Sequence, residues 1–262
     1  EEGTGSNNWA GSGAKTTSGF PLLANDPHLD LTLPAIWHQN QLTAPGINVY
    51  GVSIPGAPGV IIGFNQNIAW GVTNVGADVL DWYHIKFRDS SRREYWHDNR
   101  WKPVKIRVEQ VDVRAGKAIL DTVFYTHHGP VVYLNKPDFP KADNVPEGYA
   151  LRWVAHEPSV DIATFYHLNR AANYNDYRQA FSFYTAPAQN FVFASTGGDI
   201  AITSNGYFPL KAQGHGKYLL DGTNSTGDWK DRIPFEHNPS VKNPEREFVS
   251  SANQNPTDKS YP

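Results

Sequence analysis

Ser6 follows a glycine near the start of the chain, in "GTGSNNWA", and this is the first residue pattern that could do chemistry. A serine hydroxyl is a weak nucleophile until a base takes its proton, and the α-amine of the same residue can be that base once the chain is cut before it. An unperturbed α-amine titrates at about 7.7 to 8.0, so part of it is free base near neutrality. Gly5 leaves its own carbonyl open to attack by the Ser6 hydroxyl, with cleavage at Gly5–Ser6 as the outcome. A surface turn is the competing reading, since Gly, Ser and Asn are ordinary turn residues. The chain carries no G-x-S-x-G elbow, P-loop, G-x-G-x-x-G or H-E-x-x-H run; Ser12 in "AGSGA" has the wrong flanks. Neither His127–His128 nor His156–Glu157 has the i, i+4 spacing of ligands on a helix, so zinc is not expected.

Composition narrows the partners. A chain of 262 residues with 39% hydrophobic content can bury a sizeable core, as one large domain or two small ones. A formal net charge of -3 gives no global field to attract nucleic acid or an anionic membrane, and a small organic substrate fits better. No run approaches the roughly 18 apolar residues that a membrane-crossing helix needs. Without cysteine there are no disulfides, thiolates or Cys-bound zinc. Aromatic residues at 13% suit the filling of strands and core; an aromatic sugar-binding surface is the alternative. The chain has no methionine, and the expectation is a fragment that follows a processing event or a cut.

The elements that must position Ser6 read as mostly strands. Short apolar pieces at 7–15 and 21–24 alternate with Gly/Ser/Thr turns, which predicts strands joined by hairpins. From 31 to 87, Gly and Pro recur between Val/Ile-rich runs and leave little room for a helix. "VKIRVEQVDV" alternates at Val104, Ile106 and Val108 and then shifts phase to Val111 and Val113, predicting a strand with a bulge. Helix signals begin at Asp161, a candidate cap followed by Ile162, Phe165, Tyr166 and Leu168 on one side, and recur after Asn175 until Pro187. "QNFVFASTGGDIAITSNGYF" predicts two strands about Gly197–Gly198 with Asn190 at the entry of the first; beyond Pro209 the chain is loop-rich. The class is α+β with mostly antiparallel sheet.

Several motifs in order make the chain resemble the penicillin acylase family of N-terminal nucleophile hydrolases, at the start of the catalytic β chain. They are "GSNNWA", "GFPLLANDPHL", "PGAPGVIIGFNQNIAWGVTNVGADVLDWY", "HHGPVV", "APAQNFVFAS", "IPFEHNPSVKNP" and "SANQNP". The resemblance implies part of an αββα sandwich, with residues 1–5 as the remnant of a spacer and 6–262 as the N-terminal part of the β-chain domain. It implies Ser6 as the nucleophile, attacking an amide carbonyl to form an acyl-enzyme that water hydrolyses, and His28 of "NDPHL" beside it. Residues other than histidine stand at that place in penicillin G enzymes; the competing reading is a loop histidine packed in a turn. The oxyanion donors it implies are the N–H of Asn74, with Val75 as the alternative, and the side chain of Asn190, which alone would read as a strand-start residue capping a backbone group. Lys211 of "FPLK" stands where the family has a bracing arginine, and a lysine cannot reproduce the two-pronged guanidinium contact.

The resemblance further implies a structural Ca²⁺ held by Asp78 and Asp81 with the carbonyl of Leu80, and perhaps Asp199; alone, the two aspartates would read as a solvated strand edge. No organic cofactor is implied. Implied partners are an α chain from the same precursor, the remaining half of the β chain and a small acyl-amide substrate, such as a β-lactam, an acyl-homoserine lactone or an acylated peptide. The implied location is the periplasm or outside the cell. A different class of answer is a catalytically silent, unprocessed relative in which Gly5 still blocks the Ser6 amine, and a third is a carbohydrate-binding module.

Overall fold

The computed structural model describes residues 5–132, 148–212, 215–258 and 261. Most of the expected spacer remnant, residues 1–4, lies outside them. In chain order the strands are β1 (Gly5–Gly11), β2 (Leu22–His28), β3 (His38–Ala44), β4 (Ile47–Ser53), β5 (Ile62–Asn65), β6 (Ile68–Asn74), β7 (Leu80–His84), β8 (Glu94–His97), β9 (Arg100–Pro103) and β10 (Lys105–Val111). There follow β11 (Ile119–Thr126), β12 (Gly129–Val131), β13 (Tyr149–Trp153), the helices α1 (Ile162–Leu168) and α2 (Tyr174–Ala180), β14 (Gln189–Ser195) and β15 (Ile200–Asn205). The last are β16 (Pro209–Leu210), β17 (Leu220–Asp221), β18 (Asp231–Arg232), β19 (Ser240–Lys242) and β20 (Phe248–Ser251). The chain is therefore α+β, and among the described residues every strand pairing is antiparallel except that of β17 with β7.

The chain forms two compact units. The first comprises Glu1–Ala77, Pro158–Phe208 and Ile233–Tyr261. Its larger sheet runs β19-β15-β14-β6-β5-β4-β3 and its smaller one β2-β1-β20. Side chains alternate across a strand, so the two faces of β14 and β15 carry different residues. Phe191, Phe193 and Ala201 point to one face, where Trp70, Leu168, Tyr177, Ala180, Phe181 and Tyr184 complete a core beneath the helices. Val192, Ala194 and Ile200 point to the other and pack on Ala10 and Val249 of the smaller sheet. Both faces of β14 are covered, which is why Gln189 to Ala194 are all buried and Phe191 to Ala194 form a continuous apolar run rather than an alternating one. The layers of this unit are helix, sheet, sheet, three of the four in an αββα sandwich.

Gly71 in β6 sets the spacing between the sheets. A methyl group there would come within 2.4 Å of Asn25 Oδ1 and 2.6 Å of Asn25 Cβ. Gly71→Ala is therefore expected to push β2 off β6 and to destabilise the protein by about 1–3 kcal/mol, read as a lowered denaturant midpoint. An unchanged midpoint would mean that the two sheets do not need this close approach.

The second unit comprises Asp78–Glu157 and Pro209–Arg232, and its main sheet runs β10-β11-β12-β13-β7-β17 over a core of Tyr83, Ile85, Tyr95, Val104, Val131 and Ala150. The expected bulge after Val108 is absent. The ladder from Lys105↔Tyr125 to Val111↔Ile119 is uninterrupted, because Ile106, Val108 and Val111 are all exposed and no buried face dictates the phase of their apolar residues.

The helices start differently from the expected pattern. Asp161 occupies the N-cap of α1 without capping it; its carboxylate instead accepts from the backbone N–H groups of Thr185 and Ala186. Ile162 and Tyr166 are exposed while Thr164 and Leu168 are buried, so the inner stripe is narrower than the expected set. Asn173, two residues before the expected start, caps α2 by accepting from the N–H groups of Asn175 and Asp176.

Candidate active site

The polar residues of the first unit gather between its two sheets, in continuation of the apolar contact. Ser6, Asn8 and Ala10 are the inward-facing residues of β1, and all three are buried. The same alternation puts Thr73 of β6, Asn190 of β14, Ser204 of β15 and Ser251 of β20 in buried positions facing this layer. Asn190 Nδ2 donates to Ser251 Oγ at 2.9 Å, and Ser204 Oγ donates to Asn190 Oδ1 at 2.5 Å. Thr73 Oγ1 donates to the same Ser251 Oγ at 2.9 Å, and Asn8 Nδ2 reaches the Asn190 carbonyl at 3.4 Å. With both ends of the Asn190 amide tied, its rotamer is locked, and one of its two Nδ2 hydrogens is left over as a donor.

Ser6 is held through its main chain. Its N–H donates to Asn253 Oδ1 at 2.6 Å, and Asn253 Nδ2 donates to the Asn74 carbonyl at 2.7 Å. One side-chain amide thus spans the proposed nucleophile and the proposed oxyanion segment. Asn74 is next to the Thr73↔Asn190 pair in the β6–β14 ladder, and its Oδ1 accepts from Gln189 Nε2 at 2.7 Å. Val75 follows in the connection after β6 and is half-buried.

His28 is the β2 residue paired across from Gly5, and its Nδ1 lies 3.6 Å from where a Gly5 side chain would begin. Its Nε2 is 3.0 Å from Asp26 Oδ2 and 3.4 Å from Asn7 Nδ2. His28 therefore sits against the residue before the nucleophile, oriented by a carboxylate.

Lys211, Asp78, Leu80 and Asp81 belong to the second unit. Lys211 Nζ lies 2.7 Å from both Asp78 Oδ1 and Asp81 Oδ2, and Trp229 Nε1 donates to Asp81 Oδ2 at 2.6 Å. Leu80 precedes Asp81 in β7. Hard oxygen donors of this kind suit Ca²⁺, but the cation between these carboxylates is the lysine's own ammonium, so as arranged the set does not fit a calcium ion. Asp199 belongs to the first unit, where Asn243 Nδ2 at 2.6 Å and Lys242 Nζ at 3.0 Å hold its carboxyl below the usual carboxylate range.

Sequence reading passed over four residues that organise the site: Thr73, Ser204, Ser251 and Asn253. Ser251 and Asn253 belong to the "SANQNP" run and Thr73 to "AWGVT", so the stretches were visible, but the roles depend on which strands become neighbours.

An α+β fold in which a strand bearing Gly5–Ser6 enters a sheet stacked on a second antiparallel sheet is of the N-terminal nucleophile hydrolase type. The family model described as penicillin amidase matches residues 2–262, and the chain belongs to that family. Acyl-homoserine lactone acylase QuiP of Pseudomonas aeruginosa is 30% identical over 262 residues, covering 98% of this chain and 31% of the relative. Penicillin G acylase of Escherichia coli is 26% identical over 259 residues, covering 99% of this chain and 30% of the relative. The structure of a thermostable penicillin G acylase from Alcaligenes faecalis superposes with a TM-score of 0.82 at 23% identity, covering 97% of this chain and 45% of that one. The chain thus spans about a third of the length of these curated relatives.

Proposed function

We propose that the protein to which this chain belongs hydrolyses a linear amide through Ser6, after cleaving itself at Gly5–Ser6. The observation that carries this reading is the Asn253 amide, which accepts from Ser6 N–H and donates to the Asn74 carbonyl, beside an Asn190 amide with a donor to spare. In the uncut chain the Ser6 nitrogen is an amide and cannot act as base. Ser6 Oγ attacks the Gly5 carbonyl carbon and its proton passes to the departing Ser6 nitrogen, while His28, which shares the outward face of β1 and β2 with Asn7 and Asp26, stands apart from the inward Ser6 hydroxyl. The C–N bond breaks, which frees the Ser6 amine as an ester forms on Oγ, and water hydrolyses that ester to release the Gly5 carboxylate and restore the Ser6 hydroxyl.

In the mature enzyme that amine keeps its bond to Asn253 and serves as the base. Ser6 Oγ attacks the substrate's amide carbonyl, and the proton passes through the α-amine to the departing amine. Asn190 Nδ2–H and the N–H of Asn74 stabilise the oxyanion. Water then repeats the sequence on the acyl-enzyme. The substrate class is an acyl group in amide linkage to an amine, with penicillin, cephalosporin and acyl-homoserine lactone acylase activities as the candidates suggested by the family and the named relatives. An α chain and further β-chain residues complete the acyl pocket, and the site of action is the periplasm or beyond.

Asn190→Ala is expected to lower kcat about 10²–10³-fold, the cost of removing one oxyanion donor, with a much smaller change in KM. Steady-state kinetics on the mature enzyme check it, and an unchanged kcat would remove Asn190 from the reaction. A second reading, a silent and unprocessed relative, draws on the Gly5–Ser6 bond present in this chain. The mass of the complete protein separates the two: a species beginning at Ser6 supports the enzyme, and a chain retaining Gly5–Ser6 supports the silent relative.

A further inference from the structure

The second unit holds a cluster that the proposed amide chemistry does not use. His97 at the end of β8, His127 and His128 in the β11–β12 turn and Asp228 before β18 bring one ligating atom each to within 4.8 Å of one another. Asp228 Oδ1 lies 2.7 Å from His128 Nε2, and its Oδ2 lies 3.3 Å from His127 Nε2 and 3.5 Å from His97 Nε2. Donors of a tetrahedral site with bonds near 2.0–2.1 Å are separated by about 3.3 Å; the two Oδ2 contacts match that spacing, and all four donors lie within 4.8 Å of one another.

The outer contacts fix the rings. His97 Nδ1 is 3.0 Å from the Gly222 carbonyl, which can only accept, so the proton of the neutral ring is on Nδ1 and the lone pair of Nε2 points at Asp228. That Nε2 is also 3.2 Å from Asp98 Oδ2. A ring nitrogen facing two carboxylates needs either its own proton or a metal ion between them. His127 Nδ1 is 3.0 Å from the Tyr95 hydroxyl, and the His128 ring stacks on Tyr83 with centroids 4.0 Å apart. Metal-bound histidines tie their second nitrogen to a carbonyl or another polar group, as His97 and His127 do here, whereas the buried Nδ1 of His128 has no hydrogen-bond partner among the described residues. His97 and His128 are almost fully buried, at 1% and 3% exposure.

We propose that His97, His127, His128 and Asp228 form a structural metal site for a divalent transition ion, best suited to Zn²⁺. Three imidazoles and one carboxylate are borderline-soft donors that favour zinc over calcium or magnesium. Four protein ligands leave no open position, so the ion clasps the 222–230 segment to β8 and the β11–β12 turn rather than activating water. His127 and His128 lack the i, i+4 spacing of helical ligands, and it is a hairpin turn and two distant segments that bring the four side chains together.

The test uses the full chain, stripped by chelation and titrated with Zn²⁺ by calorimetry, with bound metal counted by mass spectrometry. One Zn²⁺ per chain is expected, with affinity at least tenfold weaker in the half-exposed ligand variant His127→Ala and in the near-isosteric Asp228→Asn. Circular dichroism shows whether both remain folded. Co²⁺ bound to the wild type should give the intense visible bands of a tetrahedral site, a readout that needs no variant. Absence of stoichiometric Zn²⁺ binding, wild-type affinity in both folded variants, or a weak octahedral Co²⁺ spectrum would each overturn the proposal and leave a hydrogen-bonded histidine cluster.

Discussion

In the complete precursor, Ser6→Ala is expected to leave Gly5–Ser6 uncut and to lower amide hydrolysis by roughly 10⁴-fold or more. The substitution removes Oγ, the attacking atom of both reactions, yet leaves the contacts that shape the site. Ser6 meets Asn253 through its backbone N–H, and alanine keeps that donor, the β1 register opposite Pro27 and the side chain's small volume in a position only 7% exposed. Loss of both activities in a protein with an unchanged denaturant midpoint would therefore report chemistry rather than misfolding. Intact mass and initial rates on an acyl-amide substrate are the measurements. Cleavage that persists at Gly5–Ser6 in this variant would sink the self-cleavage mechanism, and hydrolysis that persists would remove Ser6 as nucleophile.

Lys211→Met is expected to destabilise the protein by about 3 kcal/mol or more, measured as a shift in denaturant midpoint. Asp81 has a side chain only 2% exposed, and Lys211, itself 10% exposed, is the cation against it. Removing one partner of a buried ion pair leaves the other charge desolvated and uncompensated, a loss commonly of about 3–5 kcal/mol. Trp229 Nε1–H still donates to the carboxylate and softens the loss, and the half-exposed Asp78 re-solvates. The variant also separates the ammonium from the calcium expected by resemblance. Millimolar Ca²⁺ should leave the wild-type midpoint in place, because Lys211 already neutralises the pair. In Lys211→Met it should restore part of the loss, by giving Asp78 and Asp81 another cation. A Ca²⁺-dependent midpoint in the wild type would show that the ion displaces the lysine.

The local elements were legible because short-range chemistry decides them. The strands on either side of Gly197–Gly198 follow from a two-glycine turn between apolar runs, and β1 and β2 from apolar pieces broken by Gly, Ser and Thr. Recurring Gly and Pro leave little room for a helix from 31 to 87, and among the described residues the first α-helix, α1, begins at Ile162. Where burial does not enforce a pattern, the reading failed: the exposed β10 carries apolar residues out of phase without any bulge.

The sequence by itself determined the α+β class and the family through its ordered motifs, and it offered Ser6, His28, Asn74 and Asn190 as candidate site residues. Those depend on residue type and near neighbours, which the chain carries wherever it folds. Only the tertiary structure decided which residues meet. Asn253 reaches Ser6 across 247 positions of sequence because β20 pairs with β1, and Ser251 reaches Asn190 because the smaller sheet lies on the larger one. Lys211 meets Asp78 and Asp81, and three histidines converge on Asp228, for the same reason: separate segments reach one another only after a shared core has brought them together. Strand pairing and sheet stacking are long-range choices, made by total apolar burial rather than by any local pattern.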